Sequence, residues 1–512
     1  MIVILLSTIT IACAAPEPPK SLRGRLASLQ PSHAMLAPRA SSASAFQPGV
    51  RVSPLDFGAD PLGKRDSTAA LQQCVAACVN YSSSIDALGH FPGDASFGNG
   101  RYIANAGGCQ IDLGGGEFLL SSTVMIPEYI GNLQLGHGSL VADEAFANGT
   151  FLLQVGIPDS CNVPQGSCNV DLGFPELFLD GRHVASGLQI NNVMGTTVGP
   201  GAYFLNCASR PVAPRPRRTA AAARRPRSPR PRPTVSYYGL QINKGHEVML
   251  DRAWLGETNF DFPFSVSAPP KAVAIQVNGN DHYIVNTVVF SSMVGLQVNG
   301  AANYVTGTHV WFPENQALAF EAQGVMAFHI TQAGNRFNGC YIDGSRAVFE
   351  GAALSRNVWT NGFECCAAVK NKTHGVLLLG DDVGPGLVIT HNEFAGGTVY
   401  WQPTTSSLSA PKSVVGVRIE TNSFNGNGMG SRATITQAAK GGTSFTFDFC
   451  ALLTFPAIDH VDAIAVSALA GFPAAVARAP TGCIVVVETS EALNGNITVT
   501  VDSSASGGGH FV

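Results

Sequence analysis

Ionisable side chains recur at matching positions through the middle of the chain. The stretch "KGHEVMLDRAWLG" from Lys244 carries His246, Glu247 and Asp251, "NGNDHYIVNTVVF" from Asn278 carries Asp281 and His282, and Asp343 follows in "CYIDGS". If successive stretches stack as neighbouring strands about 4.8 Å apart, His246 comes over Asp281, Glu247 over His282 and Asn303, and Asp251 over Asn286. A carboxylate held beside imidazoles and a second carboxylate has a shifted pKa, and general acid–base catalysis needs such groups. Asp281, Asp251, Asp343, His246 and His282 are therefore the candidate catalytic residues. In mild acid His246 and His282 are expected to gain charge, since the ordinary imidazole pKa is about 6.5. Asp and Asn at turns also satisfy backbone amides, so each carboxylate has a structural alternative.

Such stacking requires a repeat, and the chain has one. "YGLQINKGHEVMLDRAWLG" from Tyr238, "VAIQVNGNDHYIVNTVVFS" from Val273 and "VGLQVNGAANYVTGTHVWF" from Val294 share an order of apolar strand, Asn, Gly-containing turn, and two further strands. Asn243, Asn278 and Asn299 fall in one column, and "SGLQINNVMG" from Ser186 and "NRFNGCYIDGSRAVFEG" from Asn335 echo the pattern. A period in the low twenties built of short strands marks a β-solenoid, whose coils bury their apolar edges only by stacking. The expected fold is all-β, a parallel β-helix of roughly eight to eleven coils over residues 48–430.

A solenoid leaves strand edges bare at its ends, and bare edges invite aggregation. In "DFGADPLGKRDSTAALQQCV" from Asp56, Asp66 or Ser67 can cap a helix in which Ala70, Leu71, Cys74, Val75 and Cys78 share one face. That helix, over about Asp66–Asn80, is expected to cover the N-terminal end. After Ser431 the rhythm changes to longer alternating strands, "TSFTFDFCALLTFP" and "NITVTVDSS" among them. They predict a β-sandwich-like domain over residues 431–512 that closes the other end.

Composition agrees with a mostly β protein: 56 glycines and 13% charged residues leave little of the Ala/Glu/Lys/Leu enrichment of long helices. Residues 1–15 form a short apolar run ending in "ACAAP", which predicts a signal peptide and secretion to the extracellular space or cell wall, followed by a flexible leader over 16–47. Twelve cysteines suit an oxidising compartment, and Cys161 and Cys168 flank a polar turn that a disulfide can close. Nine arginines and no acidic residue lie in the Arg/Pro-rich segment 208–236, and removing those nine from the 31 basic residues leaves a charge of −13 against 35 acidic ones. That composition builds no core and reads as a disordered insertion. No His/Cys grouping has zinc spacing, so neither metal nor cofactor is expected; nor is a nucleic-acid or membrane partner, and the chain is expected to be a monomer.

The opening motif "DFGADPLGKRDSTAAL" resembles that of the pectate-lyase superfamily of right-handed parallel β-helices. "KGHEVMLDRAWLG", "NGNDHYIVNTVVF", "FPAIDHVDAIAV" and "GCIVVVETSEALNGNITVTVDSS" are similar to the QUARTET-type polygalacturonases. The resemblance covers roughly residues 50–206 and 237–503. It implies hydrolysis of α-1,4-galacturonide bonds in pectin; the alternatives are a pectate lyase or β-glucanase-like enzyme on the same fold, or a non-catalytic carbohydrate-binding wall protein. Hydrolysis of that kind needs two carboxyl groups flanking the bond. Trp254, Trp311 and Trp359 are candidates to stack on sugar faces. The better-known polygalacturonases carry Asn-Thr-Asp, Gly-Asp-Asp, Gly-His-Gly and Arg-Ile-Lys in order. Here Gly380-Asp381-Asp382 and "VRIET" from Val417 match two of these in part, Glu420 replaces the Lys, and Gly136-His137-Gly138 lies far upstream.

Overall fold

The computed structural model describes residues 49–84, 103–147, 149–161, 167–207, 237–256, 272–290, 292–312, 325–365, 375–425, 429–468, 471 and 473–504. The expected signal peptide, leader and Arg/Pro-rich insertion lie outside them. All the described residues belong to the unit that begins at Gly49.

One coil illustrates the rest. Ala272–Val277 belongs to a ten-stranded sheet, Tyr283–Val285 to a thirteen-stranded sheet, and Val288–Phe290 to a twelve-stranded sheet, after which Val294–Val298 returns to the first. Ile275 pairs with Leu296, Ile284 with Val305 and Val289 with Val310, all in parallel register. These side chains are at most 1% exposed and stack into a continuous interior column. The inner faces of these strands are apolar because only stacking removes them from water. The fold is a right-handed parallel β-helix. Its twelve-stranded sheet takes one strand per coil, so the stack is longer than the eight to eleven coils suggested by the repeat. The early coils follow the same path with a less regular sequence.

The corner between the thirteen- and twelve-stranded sheets is turned by single residues of positive φ, among them Arg252, Asn286, Gly307, Asn361 and His391. Gly and Asn reach this region at least cost. The neighbouring corner, between the twelve- and ten-stranded sheets, varies greatly in length: Gly344 and Ser345 alone join Tyr341–Asp343 to Arg346–Glu350, whereas residues 206–236 join Tyr203–Leu205 to Tyr237–Asn243.

Helix α1 (Thr68–Ser84) packs Ala70, Leu71, Cys74, Val75 and Cys78 into the solenoid core. Asp66 caps it, accepting from the Thr68 amide at 3.0 Å and from the Ser121 hydroxyl at 2.7 Å. Burial raises the Asp66 carboxyl, but these hydrogen bonds together hold it below the usual range. Gln72 covers the open edge: its Nε2 donates to the Met125 carbonyl at 2.9 Å and its Oε1 accepts from the Met125 amide at 3.0 Å. Met125 lies in Val124–Ile126, the terminal strand of the ten-stranded sheet, so a side-chain amide stands where a further strand would pair. Cys78–Cys109 ties the helix to the first coils, Cys161–Cys168 closes the turn as expected, and Cys450–Cys483 forms a third bridge.

At the other end Arg432–Asp448, His460–Ala468, Ala475–Ala477 and Ile484–Asp502 make a four-stranded antiparallel sheet. A register shift near Gly442 divides the long pair into two halves that share one core, with Phe445, Phe447 and Val485 from one and Val499 and Val501 from the other. The sheet thus serves as both layers of a sandwich-like cap. The Ser431 hydroxyl accepts from the Ile419 amide and the Ser504 hydroxyl from the Val417 amide, which covers the last strand edge. Among the described residues no helix is long and apolar enough to cross a membrane.

Candidate active site

The outer face of the ten-stranded sheet is polar by sequence and ordered by hydrogen bonds. Gln189, Gln241, Gln276 and Gln297 form one ladder with amide contacts of 2.6, 2.6 and 2.8 Å. Asn191, Asn243, Asn278 and Asn299 form the next, at 3.0, 2.7 and 2.8 Å. Each amide donates to one neighbour and accepts from the other, so identical residues one strand apart satisfy each other. At the edge of this face a pocket of about 250 Å³ is lined by Pro158, Asp159, Asn192, Asn243, Lys244 and Asn278, with Lys244 Nζ 2.7 Å from Asp159 Oδ1.

The turn beyond the Asn ladder carries His246 and Asp281. His246 Nδ1 lies 3.1 Å from Asp281 Oδ2, and the side chains are 36% and 50% exposed. The backbone register differs by one residue from the one expected: Asp251 pairs with Val285, not Asn286, and the Glu247 amide donates to the carbonyl of Asp281. The turn after Asn243 is one residue longer than the turn after Asn278. His246 and Asp281 meet through their side chains despite that offset.

His282 occupies a different environment. It is fully buried, its backbone amide donates to Asn303 Oδ1 at 2.9 Å, and its Nδ1 accepts from the Val248 amide at 3.1 Å. The column continues through Asn335 and Asn357, whose side chains accept from the amides of Asn303 and Asn335. Burial, helped by His246 nearby, pushes the His282 pKa down to about 3. Its ring is neutral in mild acid, which corrects the expectation that it gains charge there. Gly279 makes room for it, since a Cβ at that position would sit 2.3 Å from His282 Nε2.

Asp251 ends the strand Met249–Asp251 at the next corner, where Arg252 Nε reaches its Oδ2 at 2.9 Å. Asp343 ends Tyr341–Asp343 at the third corner, beside His309, whose ring stacks on Tyr341 at 4.2 Å. Burial raises the Asp343 carboxyl, opposed by His309, and burial lowers His309, opposed by Asp343. The five candidates thus occupy three corners and one interior column, and the structure joins only His246 with Asp281. Of the tryptophans, Trp254 is exposed and stacks on Tyr203, whereas Trp359 is buried among Phe328, Phe337 and Phe349.

The motif fragments have local partners. Asp381 accepts from the hydroxyl and amide of Thr405 and from those of Thr404, with Lys412 at 3.5 Å, and is held well below the usual carboxylate range. Arg418 pairs with Glu420 at 2.7 Å, and His137 turns the chain at φ 60°.

Two groups escaped sequence reasoning. His329 follows Gln297 in the Gln column, and its Nε2 lies 2.8 Å from Glu350 Oε2. Continuing the repeat alignment through "VMAFHI" and "RAVFEG" would have found them. Glu364 points inward between Ile342 and Phe394, 3% exposed, with neither carboxyl oxygen in a well-aligned hydrogen bond among the described residues. Burial pushes it up to about 8, the Gly397 amide opposing. No pattern in a single sequence marks an inward Glu. As for metals, Asp448, Cys450 and Cys483 are the one grouping with close ligand atoms among the described residues, and the two cysteines are bonded to each other.

No family model matches the chain. It is 26% identical over 472 residues to Polygalacturonase QRT3 of Arabidopsis thaliana, covering 89% of this chain and 85% of that protein. Solved structures similar to it include ORF18 of Geobacillus virus E2 (12% identity, TM-score 0.47, 88% of this chain and 76% of that one). The tailspike protein gp49 from Pseudomonas phage LKA1 is another (10% identity, TM-score 0.35, 89% and 100%).

Proposed function

We propose, for a chain similar over most of its length to a polygalacturonase, that it is a secreted glycoside hydrolase cleaving the α-1,4-galacturonide bonds of pectin. The observation that carries this reading is the 26% identity to Polygalacturonase QRT3 along 89% of the chain. The geometry supports it with an acid–base pair, His246 and Asp281, at the edge of a polar ladder face that can follow an extended polymer. In this reading Asp281 takes a proton from the attacking water, and His246 gives one to the departing glycosidic oxygen. Purified protein should release reducing ends from polygalacturonate without the ultraviolet absorbance of unsaturated products. That absorbance would mean β-elimination instead.

A second reading, binding of wall polysaccharide without cleavage, is favoured by one observation: Asp251 and Asp343 lie at other corners from Asp281, away from where a second carboxyl would serve the same bond. Retention on a pectin column with no release of reducing ends would decide for it.

A further inference from the structure

Arg346 differs from most arginines of this protein. Arg252 pairs with Asp251, Arg418 with Glu420, Arg432 with Asp462 and Arg478 with Glu488. Among the described residues Arg346 has no carboxylate partner. Its one hydrogen bond there runs from Nη1 to the Tyr400 hydroxyl at 3.3 Å, and its Nε is buried without a partner. A guanidinium offers five donors, and leaving a half-buried cation unpaired is costly.

Its position explains how a ligand would meet it. Arg346 opens the strand Arg346–Glu350 of the ten-stranded sheet, and Gly375 is its partner on the next strand. With no side chain at Gly375, the arginine reaches across to Tyr400 in Thr398–Gln402. Val348 and Leu377 lie in the same outer column as His329 and Tyr400, and they are 3% and 5% exposed. The charge therefore stands over dry apolar groups, where it acts more strongly than in water. Glu350, at the other end of the same strand, is engaged by His329 at 2.8 Å and does not neutralise it.

We propose that Arg346 is the specificity-determining group of an acidic-sugar subsite on the outer face of the ten-stranded sheet. Its fork takes the carboxylate of a uronate, and the His329–Glu350 pair, whose strand neighbours it, takes the sugar's hydroxyls. This deepens the pectin reading and rests on it for the identity of the sugar. A planar fork matches a carboxylate with two parallel hydrogen bonds, which a neutral or esterified sugar cannot return.

The test is calorimetric titration of the full chain with trigalacturonate and with its methyl ester. Wild type should bind the acid about tenfold or more tighter than the ester, the equivalent of one charge-assisted pair. Arg346→Gln should bind both equally, at the ester's affinity, and Arg346→Lys should recover part of the preference. Equal binding of acid and ester by wild type, binding of neither, or an acid preference that survives in folded Arg346→Gln would overturn the proposal. The ligand comparison needs no variant, so a misfolded substitution does not rescue it. Hydrolysis of polygalacturonate with an acid preference indifferent to Arg346 would spare the enzymatic reading and remove this one. Arg346-dependent binding without reducing ends would do the reverse.

Discussion

His246 Nδ1 and Asp281 Oδ2 lie 3.1 Å apart although 35 residues separate them in the chain. The coil between them begins and ends at the same corner, so residues distant in sequence become neighbours. Asp281→Asn keeps the size and removes the ionisable group. If the pair does the proton transfer, turnover of polygalacturonate should fall by about 10²–10⁴-fold. The melting temperature should hardly move, since an exposed pair contributes at most about 1 kcal/mol. Unchanged turnover would make the pair a corner clasp.

His282 gives the opposite pattern. His282→Ala should destabilise by about 2–4 kcal/mol, because it opens a cavity and strands the Val248 amide. Activity per folded molecule should stay the same. Asn is the residue found at Asn303, Asn335 and Asn357 in this column, so His282→Asn should cost less than alanine. Urea denaturation with activity assays on the soluble fraction separates the two effects.

The pKa of His282 falls to about 3 in the folded chain, below the ordinary value of 6.5. Between these values the unfolded chain binds the additional proton, so stability rises with pH, by up to about 1.4 kcal/mol per unit from this group. Wild type should lose stability as pH falls from about 6.5 towards 3. The loss should be shallower in His282→Asn. Equal slopes in denaturation series would show that His282 accepts a proton without unfolding.

Glu364 has the reverse sign. Its folded pKa is about 8 against an ordinary value of 4.5, so the folded chain holds the additional proton and stability falls as pH rises between them. Glu364→Gln keeps the shape without the charge and should flatten the decline, leaving the variant more stable than wild type at about pH 8. The two groups together place the stability maximum in mild acid, which denaturation midpoints across the range would locate.

Deletion of residues 208–236 tests whether that segment is an insertion. Gly344 and Ser345 alone turn the equivalent corner of a later coil, so a short Gly–Ser link from Cys207 to Tyr237 should span it. The expected result is a folded protein with an unchanged circular dichroism spectrum. Failure to fold would make the segment structural.

The solenoid was legible in the residues alone, because burial by stacking forces every coil to repeat its apolar spacing and its ladder residues. Asn243, Asn278 and Asn299 share a column for that reason, and the amphipathic helix with Asp66 at its start could be read from capping chemistry and periodicity. Cys161–Cys168 followed from a short polar loop. Which side of a coil each ionisable group occupies was settled only by the folded chain. A single extra residue in the turn after Asn243 shifted the register, and the expected cluster became a His246–Asp281 pair, a buried His282 and carboxylates at two other corners. Strand alternation tells inside from outside only when the residue type agrees with it. Glu364 points inward against its type and Arg346 lies outward without a carboxylate partner among the described residues, and both facts depend on neighbours that come from other coils.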